Sequence, residues 1–292
     1  MPLRKEHLLV LYELAVISGK GGTGKTLVAT TLSAYFGWDY IDCDVEAPNG
    51  AFLLQPSWEE SYEISVPIPE IDQLACRHCG ACIRFCRSRA LVLTMSGVLF
   101  LPDLCNSCMG CELVCETKAI TRTERKIGHV KQGRAGQQIV WQGRLDTQEH
   151  ITQPLIQKVK ALSKKKGIRV LDGPPGVSCN CIETLKSVDY ALLVAEPTRL
   201  GIQGFKATIE LLQRLGIPVG VIINRSFGQE KEEELRSYIA RRKLTLLGTI
   251  PFSESIARAY GQGNLQVLLD ELQSSLKVWG DQIMERRECS KP

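Results

Sequence analysis

The chain lacks a strong charge of either sign, a long apolar run and an abundance of aromatic residues. Each absence removes a class of function. Its 292 residues hold 36 Lys and Arg against 32 Asp and Glu, a net charge of +4. That balance is too even to argue for a nucleic-acid partner, and no basic run is interleaved with aromatics, which make up only 6% of the chain. No apolar stretch approaches the roughly 20 residues of a membrane-spanning helix. The opening Met1-Pro2-Leu3-Arg4-Lys5 carries no secretory signal, so reduced thiols and a cytoplasmic location are expected. The run Lys164-Lys165-Lys166-Gly167 reads as a helix end with a glycine cap, not as a nucleic-acid patch. A length of 292 residues suffices for one sizeable core and a small additional unit.

Cysteine, by contrast, is abundant, with 12 residues. Eight fall in two copies of C-x-x-C-x-x-C-x-x-x-C: Cys76, Cys79, Cys82 and Cys86, then Cys105, Cys108, Cys111 and Cys115. Structural zinc favours two separated C-x-x-C pairs closing one tetrahedron, whereas here three cysteines occur in succession, twice. Disulfide frameworks belong to short secreted chains. The duplication also extends beyond the cysteines, to Ala90-Leu91 and Ala119-Ile120 at the same offset. This pattern resembles that of bacterial-type two-cluster ferredoxins. The resemblance implies one [4Fe–4S] cluster on Cys76, Cys79, Cys82 and Cys115, and a second on Cys105, Cys108, Cys111 and Cys86, because the fourth cysteine of each run reaches the other cluster. The usual proline after that fourth cysteine is replaced by Arg87 and Glu116, which bears on loop rigidity and potential more than on ligation.

The second motif lies upstream. The apolar run 14–17 leads into Ser18-Gly19-Lys20-Gly21-Gly22-Thr23-Gly24-Lys25-Thr26, which satisfies G-x-x-x-x-G-K-[ST], and a helix-forming stretch follows at 27–36. Strand, glycine-rich turn and helix start form the context in which this motif binds nucleotide. Backbone N–H groups of Gly19, Gly21, Gly22, Thr23 and Gly24 would surround phosphate oxygens at a helix N-terminus. Lys25 would neutralise the β- and γ-phosphates, and Thr26 would ligate Mg²⁺.

With the additional Lys20, this loop resembles that of the deviant P-loop ATPases, the MinD superfamily. The resemblance implies ATP and Mg²⁺ as ligands, and a homodimer in which Lys20 reaches the partner's nucleotide. It makes Asp42-Cys43-Asp44 a nucleotide-sensing loop, with Asp44 orienting the attacking water and Asp42 supporting the Mg²⁺ shell. Asp172-Gly173-Pro174-Pro175-Gly176 is similar to the family's switch, with Asp172 holding Mg²⁺ through water and Gly176 sensing the γ-phosphate. Asn224 matches an adenine-contacting asparagine. On pattern alone, each acid is also an ordinary strand-end residue and Asn224 an ordinary turn residue.

Elsewhere strands and helices alternate. Residues 190–195, 218–223 and 245–250 read as buried parallel strands, and 205–215 and 230–243 as helices. The expected fold class is α/β: a P-loop domain with a mostly parallel sheet flanked by helices, made of residues 1–62 and 126–292 and interrupted at 63–125 by a ferredoxin-like unit. Val66-Pro67-Ile68-Pro69 reads as a lead-in linker, and Gly128, Gly133, Gly136 and Gly143 as an extended, hairpin-like exit. The whole arrangement is similar to MinD-superfamily ATPases with an inserted ferredoxin domain. The stripe Leu268, Leu269, Leu272, Leu276, Trp279 and Ile283 fits packing on the sheet better than a membrane surface.

Cys43 reads as packed and Cys289 as a tail thiol. Cys179 and Cys181 are either structural or, by resemblance to the nitrogenase iron protein, ligands of a third, subunit-bridging cluster. The expected function is ATP hydrolysis by a nucleotide-gated homodimer, coupled to electron transfer through two [4Fe–4S] clusters to or from an unidentified protein. The alternative is an ATP-dependent carrier or assembly factor for iron–sulfur or other metal clusters, with Cys179 and Cys181 as its transfer site.

Overall fold

The computed structural model describes residues 11–163, 166–228 and 230–289. In chain order its first elements are β1 (Leu11–Ser18), α1 (Lys25–Phe36), β2 (Asp39–Asp42), α2 (Gly50–Leu54), β3 (Ser57–Ile71), α3 (Ala81–Phe85), β4 (Leu91–Thr94) and β5 (Gly97–Phe100). Then come α4 (Gly110–Leu113), β6 (Ile120–Ala135), β7 (Gln138–Leu145), α5 (Gln153–Leu162), β8 (Gly167–Asp172), α6 (Cys179–Leu185) and β9 (Tyr190–Ala195). The chain closes with α7 (Arg199–Leu215), β10 (Val219–Ser226), α8 (Glu230–Arg241), β11 (Thr245–Pro251), α9 (Glu254–Gly261) and α10 (Leu265–Cys289). Lys164, Lys165 and the side chain of Cys289 lie outside the described residues, and with them the capped helix end and the tail thiol.

Nine strands form one sheet in the order β11-β10-β9-β1-β8-β2-β7-β6-β3. Every neighbouring pair from β11 to β7 is parallel, while β7–β6 and β6–β3 are antiparallel. The central strands are covered on both faces, which is why β1 and β9 are nearly continuous apolar runs. Alternation survives in what each residue touches. Leu14, Val16, Leu192 and Val194 share a core with α1 and α10, whereas Ala15, Ile17, Ala191 and Leu193 share the opposite core with α5 and α7. Leu268, Leu272, Leu276, Trp279 and Ile283 are all buried in the α1-side core, so α10 closes that face. Among the described residues no helix is long and apolar enough to cross a membrane.

The antiparallel end of the sheet carries the cysteines. β3 and β6 pair from Ser57 opposite Arg134 to Ile71 opposite Ile120. Positions 63 and 125 lie inside these strands. Val66-Pro67-Ile68-Pro69, expected as a linker, is therefore strand; β3 is the edge of the sheet, where proline is tolerated because one side needs no ladder partner. Gly128, Gly133 and Gly143 lie in the β6–β7 hairpin and Gly136 at its turn.

Beyond the ribbon end, a small core of Cys82, Leu91, Val98, Cys111 and Ile120 forms under the β4–β5 hairpin. Its halves exchange contacts as a pseudo-twofold requires: Asp72 N–H donates to Ala119 O and Leu101 N–H to Ala90 O, both at 2.8 Å. Left-handed backbone recurs at His78 and Ser107, at Gly80 and Met109, and at Arg89 and Lys118. Each pair has the same 29-residue offset as Cys76 and Cys105.

The turn after β1 meets α7 backbone to backbone. A Cβ on Gly204 would stand 2.3 Å from Gly19 O, and one on Gly19 would stand 2.1 Å from the Gly204 carbonyl carbon. Backbone cannot swing aside as a side chain does. Gly204→Ala is therefore expected to destabilise the protein by about 1–3 kcal/mol, read as a lower urea midpoint with an unchanged slope.

Candidate functional site

Parallel strands end together, so Asp42, Asp172 and Asn224 all arrive at the carboxyl edge of the sheet, where open α/β sheets bind ligands. A cleft of about 280 Å³ opens there over the start of α1. That is near the lower end of the roughly 300–1,000 Å³ usual for small-molecule sites. Gly21, Gly22, Gly24, Lys25, Thr26 and Asp44 line it from the loop side; Asn224, Arg225, Phe252 and Tyr260 line it from strand ends and α9. Gly24 has φ 93°, and a Cβ on it would meet Asn224 Nδ2 at 2.1 Å. The Asn224 amide donates to Thr23 O at 2.7 Å, and its Oδ1 accepts from Arg225 N at 2.9 Å. Asn224 thus braces the loop as well as lining the cleft.

Lys25 opens α1 with its Nζ 2.9 Å from Asp172 Oδ1 and 3.5 Å from Asp44 Oδ2. Tyr40 OH donates to Asp172 Oδ2 at 2.8 Å. Asp42 accepts from Gly50 N at 3.1 Å and from Asp44 N at 3.2 Å. Asp42 and Asp172 are register partners on β2 and β8, so two buried carboxylates stand side by side. Burial, then the neighbouring Asp172, pushes Asp42 well above the usual carboxylate range. Burial also raises Asp44, against the pull of Lys25. For Lys25, burial favours the neutral amine, but Asp172 and Asp44 together outweigh it and hold the ammonium charged beyond the ordinary lysine range.

Lys25, Thr26, Asp42, Asp44 and Asp172 are therefore gathered at one place. Gly176 N–H donates to Ser18 O at 2.8 Å, which docks the segment after Asp172 on the base of the loop. Lys20 stands apart: its Nζ is 2.5 Å from Glu196 Oε2, and Glu196 Oε1 takes Arg225 Nη1 at 3.2 Å. Sequence reasoning does not single out Tyr40, Arg225, Phe252 or Tyr260. For Tyr40 a signal existed, since it lies two residues before Asp42 and so on the same face of the strand. Phe252 stacks on Phe227 at 4.7 Å, a meeting of two strand ends that nothing local encodes.

In the cysteine-bearing unit, Cys76, Cys79, Cys82 and Cys115 line one cavity, while Cys86, Cys105, Cys108 and Cys111 line another. The fourth thiol of each run thus joins the first three of the other. Ala90 N–H points at Cys86 Sγ at 3.3 Å and Ser107 N–H at Cys105 Sγ at 3.4 Å. Among the described residues no three His, Cys, Asp or Glu converge on a site for a single ion; the thiols surround cavities instead. Glu116, at the position of the usual proline, pairs with Arg77 beside the first quartet. Cys43 is wholly buried in the sheet core. Cys179 is exposed, but Cys181 is 0% exposed and burial pushes its thiol up to about 11. These two do not present a joint surface site.

A family model for the CobQ/CobB/MinD/ParA nucleotide-binding domain matches residues 14–267. The chain belongs to this family. It is 32% identical over 234 residues to an uncharacterised protein of Methanocaldococcus jannaschii, across 75% of this chain and 80% of that protein. It is 23% identical over 225 residues to an iron–sulfur cluster carrier protein of Pyrococcus horikoshii, across 74% of this chain and 62% of that protein. Its fold is similar to that of the septum site-determining protein MinD of Pyrococcus horikoshii, solved with Mg-ADP, at a TM-score of 0.54 and 18% identity, over 93% of this chain and 96% of that one. As a member of the CobQ/CobB/MinD/ParA nucleotide-binding family, the protein is an ATPase.

The exposure difference in α6 has a direct readout. Peptide mapping after brief iodoacetamide treatment of the native protein is expected to find Cys179 alkylated and Cys181 untouched until denaturant is added. Equal labelling of both would show that α6 opens.

Proposed function

We propose that this ATPase is an iron–sulfur protein in which a nucleotide-gated homodimer controls electron transfer through two [4Fe–4S] clusters. One observation carries the reading: the strand that ends at Asp42 is continuous, through the sheet, with the ribbon that leads to the thiols. β2 pairs with β7 up to Asp42 opposite Gln142, and β7, β6 and β3 follow in order. The loop after Asp44 is tied in as well, Val45 O accepting from Leu145 N at 2.9 Å. A shift at Asp42 and Asp44 therefore has a bonded route to Ile71 and Ile120, the end of the β3–β6 ribbon nearest the cysteine runs. In this reading residues 63–125 are that unit, and 1–62 with 126–292 are the ATPase domain.

The donor sets fit the groups they would hold. Four cysteine sulfurs around each of two cavities suit iron–sulfur clusters. The Thr26 hydroxyl with the Asp42 and Asp172 carboxylates supplies the oxygen-only donors that Mg²⁺ takes. Bound, each cluster would accept and return one electron, and Mg²⁺ would neutralise phosphate charge. The protein's own residues do the rest. Lys25 exchanges Asp172 for the β- and γ-phosphates, while the N–H groups from Gly19 to Gly24 surround them. Asp44, facing the cleft, orients the attacking water, and Gly176 reports on the γ-phosphate. Asn224 holds the base side of the cleft to the loop. Lys20 must leave Glu196 to reach the partner's nucleotide, so dimer formation trades one ion pair for another.

A second reading is favoured by the similarity to the Pyrococcus horikoshii iron–sulfur cluster carrier: this chain would pass clusters on to a recipient protein. The two readings part on what moves. If electrons move, ATP changes the rate at which dithionite-reduced clusters are reoxidised, with iron content constant through turnover. If clusters move, iron leaves with turnover and appears in an apo-acceptor.

Two variants test the assignment of parts. Lys25→Ala is expected to abolish ATP binding and to cost about 3–5 kcal/mol, because Asp172 is left buried without its cation. Iron and sulfide content should stay at the wild-type level, since no cysteine of the two quartets belongs to the Lys25 network; loss of both would show that the units are not separable. Cys105→Ser should alter one of two reduced-cluster EPR signals, and an unchanged spectrum would contradict the proposed ligation.

A further inference from the structure

Tyr40 is enclosed completely, at 0% exposure, yet no motif gives it a role. β2 alternates, so Tyr40 and Asp42 point to one face, and parallel pairing sets Tyr40 beside Val170 and Asp42 beside Asp172. The phenol ring therefore runs up beneath both carboxylates. Its hydroxyl donates to Asp172 Oδ2 at 2.8 Å and stands 3.5 Å from Asp42 Oδ2. One O–H serves one carboxylate at a time, and the distances favour Asp172. The other oxygen of Asp172 is held by Lys25 at 2.9 Å. Asp172 is thus clamped at both oxygens by partners of different kinds. Lys25 is a cation for which phosphate competes. Tyr40 is a neutral donor, sealed from the cleft, for which phosphate does not compete. Once Lys25 turns to a nucleotide, the phenol is the contact left to keep the carboxylate in its plane.

We propose that Tyr40 is a positioning residue for the divalent-cation site: its hydroxyl fixes Asp172 so that this carboxylate faces the cation of a bound nucleotide without rearranging. The inference rests on the ATP-binding reading of the cleft. It acts through Asp172, and Tyr40 itself touches neither nucleotide nor metal.

The test uses the full chain loaded with ADP and titrated with Mn²⁺, a spectroscopic substitute for Mg²⁺, with free Mn²⁺ read by EPR. ADP affinity is measured separately in EDTA. Tyr40→Phe keeps the ring and removes one hydrogen bond to a charged group, so the Mn²⁺ dissociation constant should rise roughly tenfold while ADP affinity in EDTA changes by less than about twofold. On an Asp172→Asn background the added Tyr40→Phe should change Mn²⁺ binding no further, because the residue through which it acts has been altered. That comparison also serves if Tyr40→Phe alone is recovered unfolded, since the buried carboxylate it would leave unpaired is then gone. Unchanged Mn²⁺ affinity in Tyr40→Phe would overturn the proposal. So would parallel losses of ADP and Mn²⁺ affinity, which mark a merely structural role, or a full further loss on the Asp172→Asn background. Wild-type protein that binds no ADP in EDTA would instead remove the ATP reading itself.

Discussion

Lys25 places an ammonium group in a nearly dry setting, 2.9 Å from Asp172 and 3.5 Å from Asp44. Burial favours its neutral amine, but Asp172 and Asp44 outweigh that and keep the ammonium charged, while the same burial raises Asp42 and Asp44 above the usual carboxylate range. A buried ion pair of this kind is weak evidence for net stability, since desolvation offsets much of the attraction. It is better understood as a site built for exchange. In the proposed reading, phosphate oxygens would offer the ammonium what the carboxylates now offer, leaving the carboxylates to face a divalent cation. The brace from Asn224 to Thr23 and the contact of Gly176 on Ser18 hold the backbone around that exchange.

The cysteine unit is governed by a different constraint. Its apolar core of Cys82, Leu91, Val98, Cys111 and Ile120 is too small to order two long loops alone, and two of the five residues are themselves thiols. Units of that size generally need disulfides or metal as part of their fold. Left-handed residues at matching places in the two halves already turn the thiols toward two cavities. Cluster binding would then be a folding term for this unit as well as a functional one. The long β3–β6 ribbon explains why such a unit can sit within an ATPase without disturbing its core: the sheet simply continues, antiparallel, past β7.

Much of this was legible in the residues themselves. The loop from Gly19 to Thr26 and both cysteine runs are compact motifs, each legible within its own short stretch. Strands such as 190–195 stand out because burial on both faces demands unbroken apolar sequence. The prolines at 67 and 69 misled, since proline speaks against a strand in general but not against one at a sheet edge. Lys20 illustrates a different difficulty: its motif shows that it is present, but not that Glu196 holds it within the same chain.

By itself, then, the sequence determined which chemistry the chain carries: a phosphate loop, a set of strand-end carboxylates and eight thiols in two runs. These are local features, written in spacing and periodicity over a few residues. Only the tertiary structure decided which of them meet. Tyr40 reaches Asp172 across 132 residues and Asn224 reaches Thr23 across 201. Both contacts depend on the order and register of parallel strands, which the packing of two helical layers selects. Such order arises from the sum of many long-range burials, and no single stretch of sequence contains it.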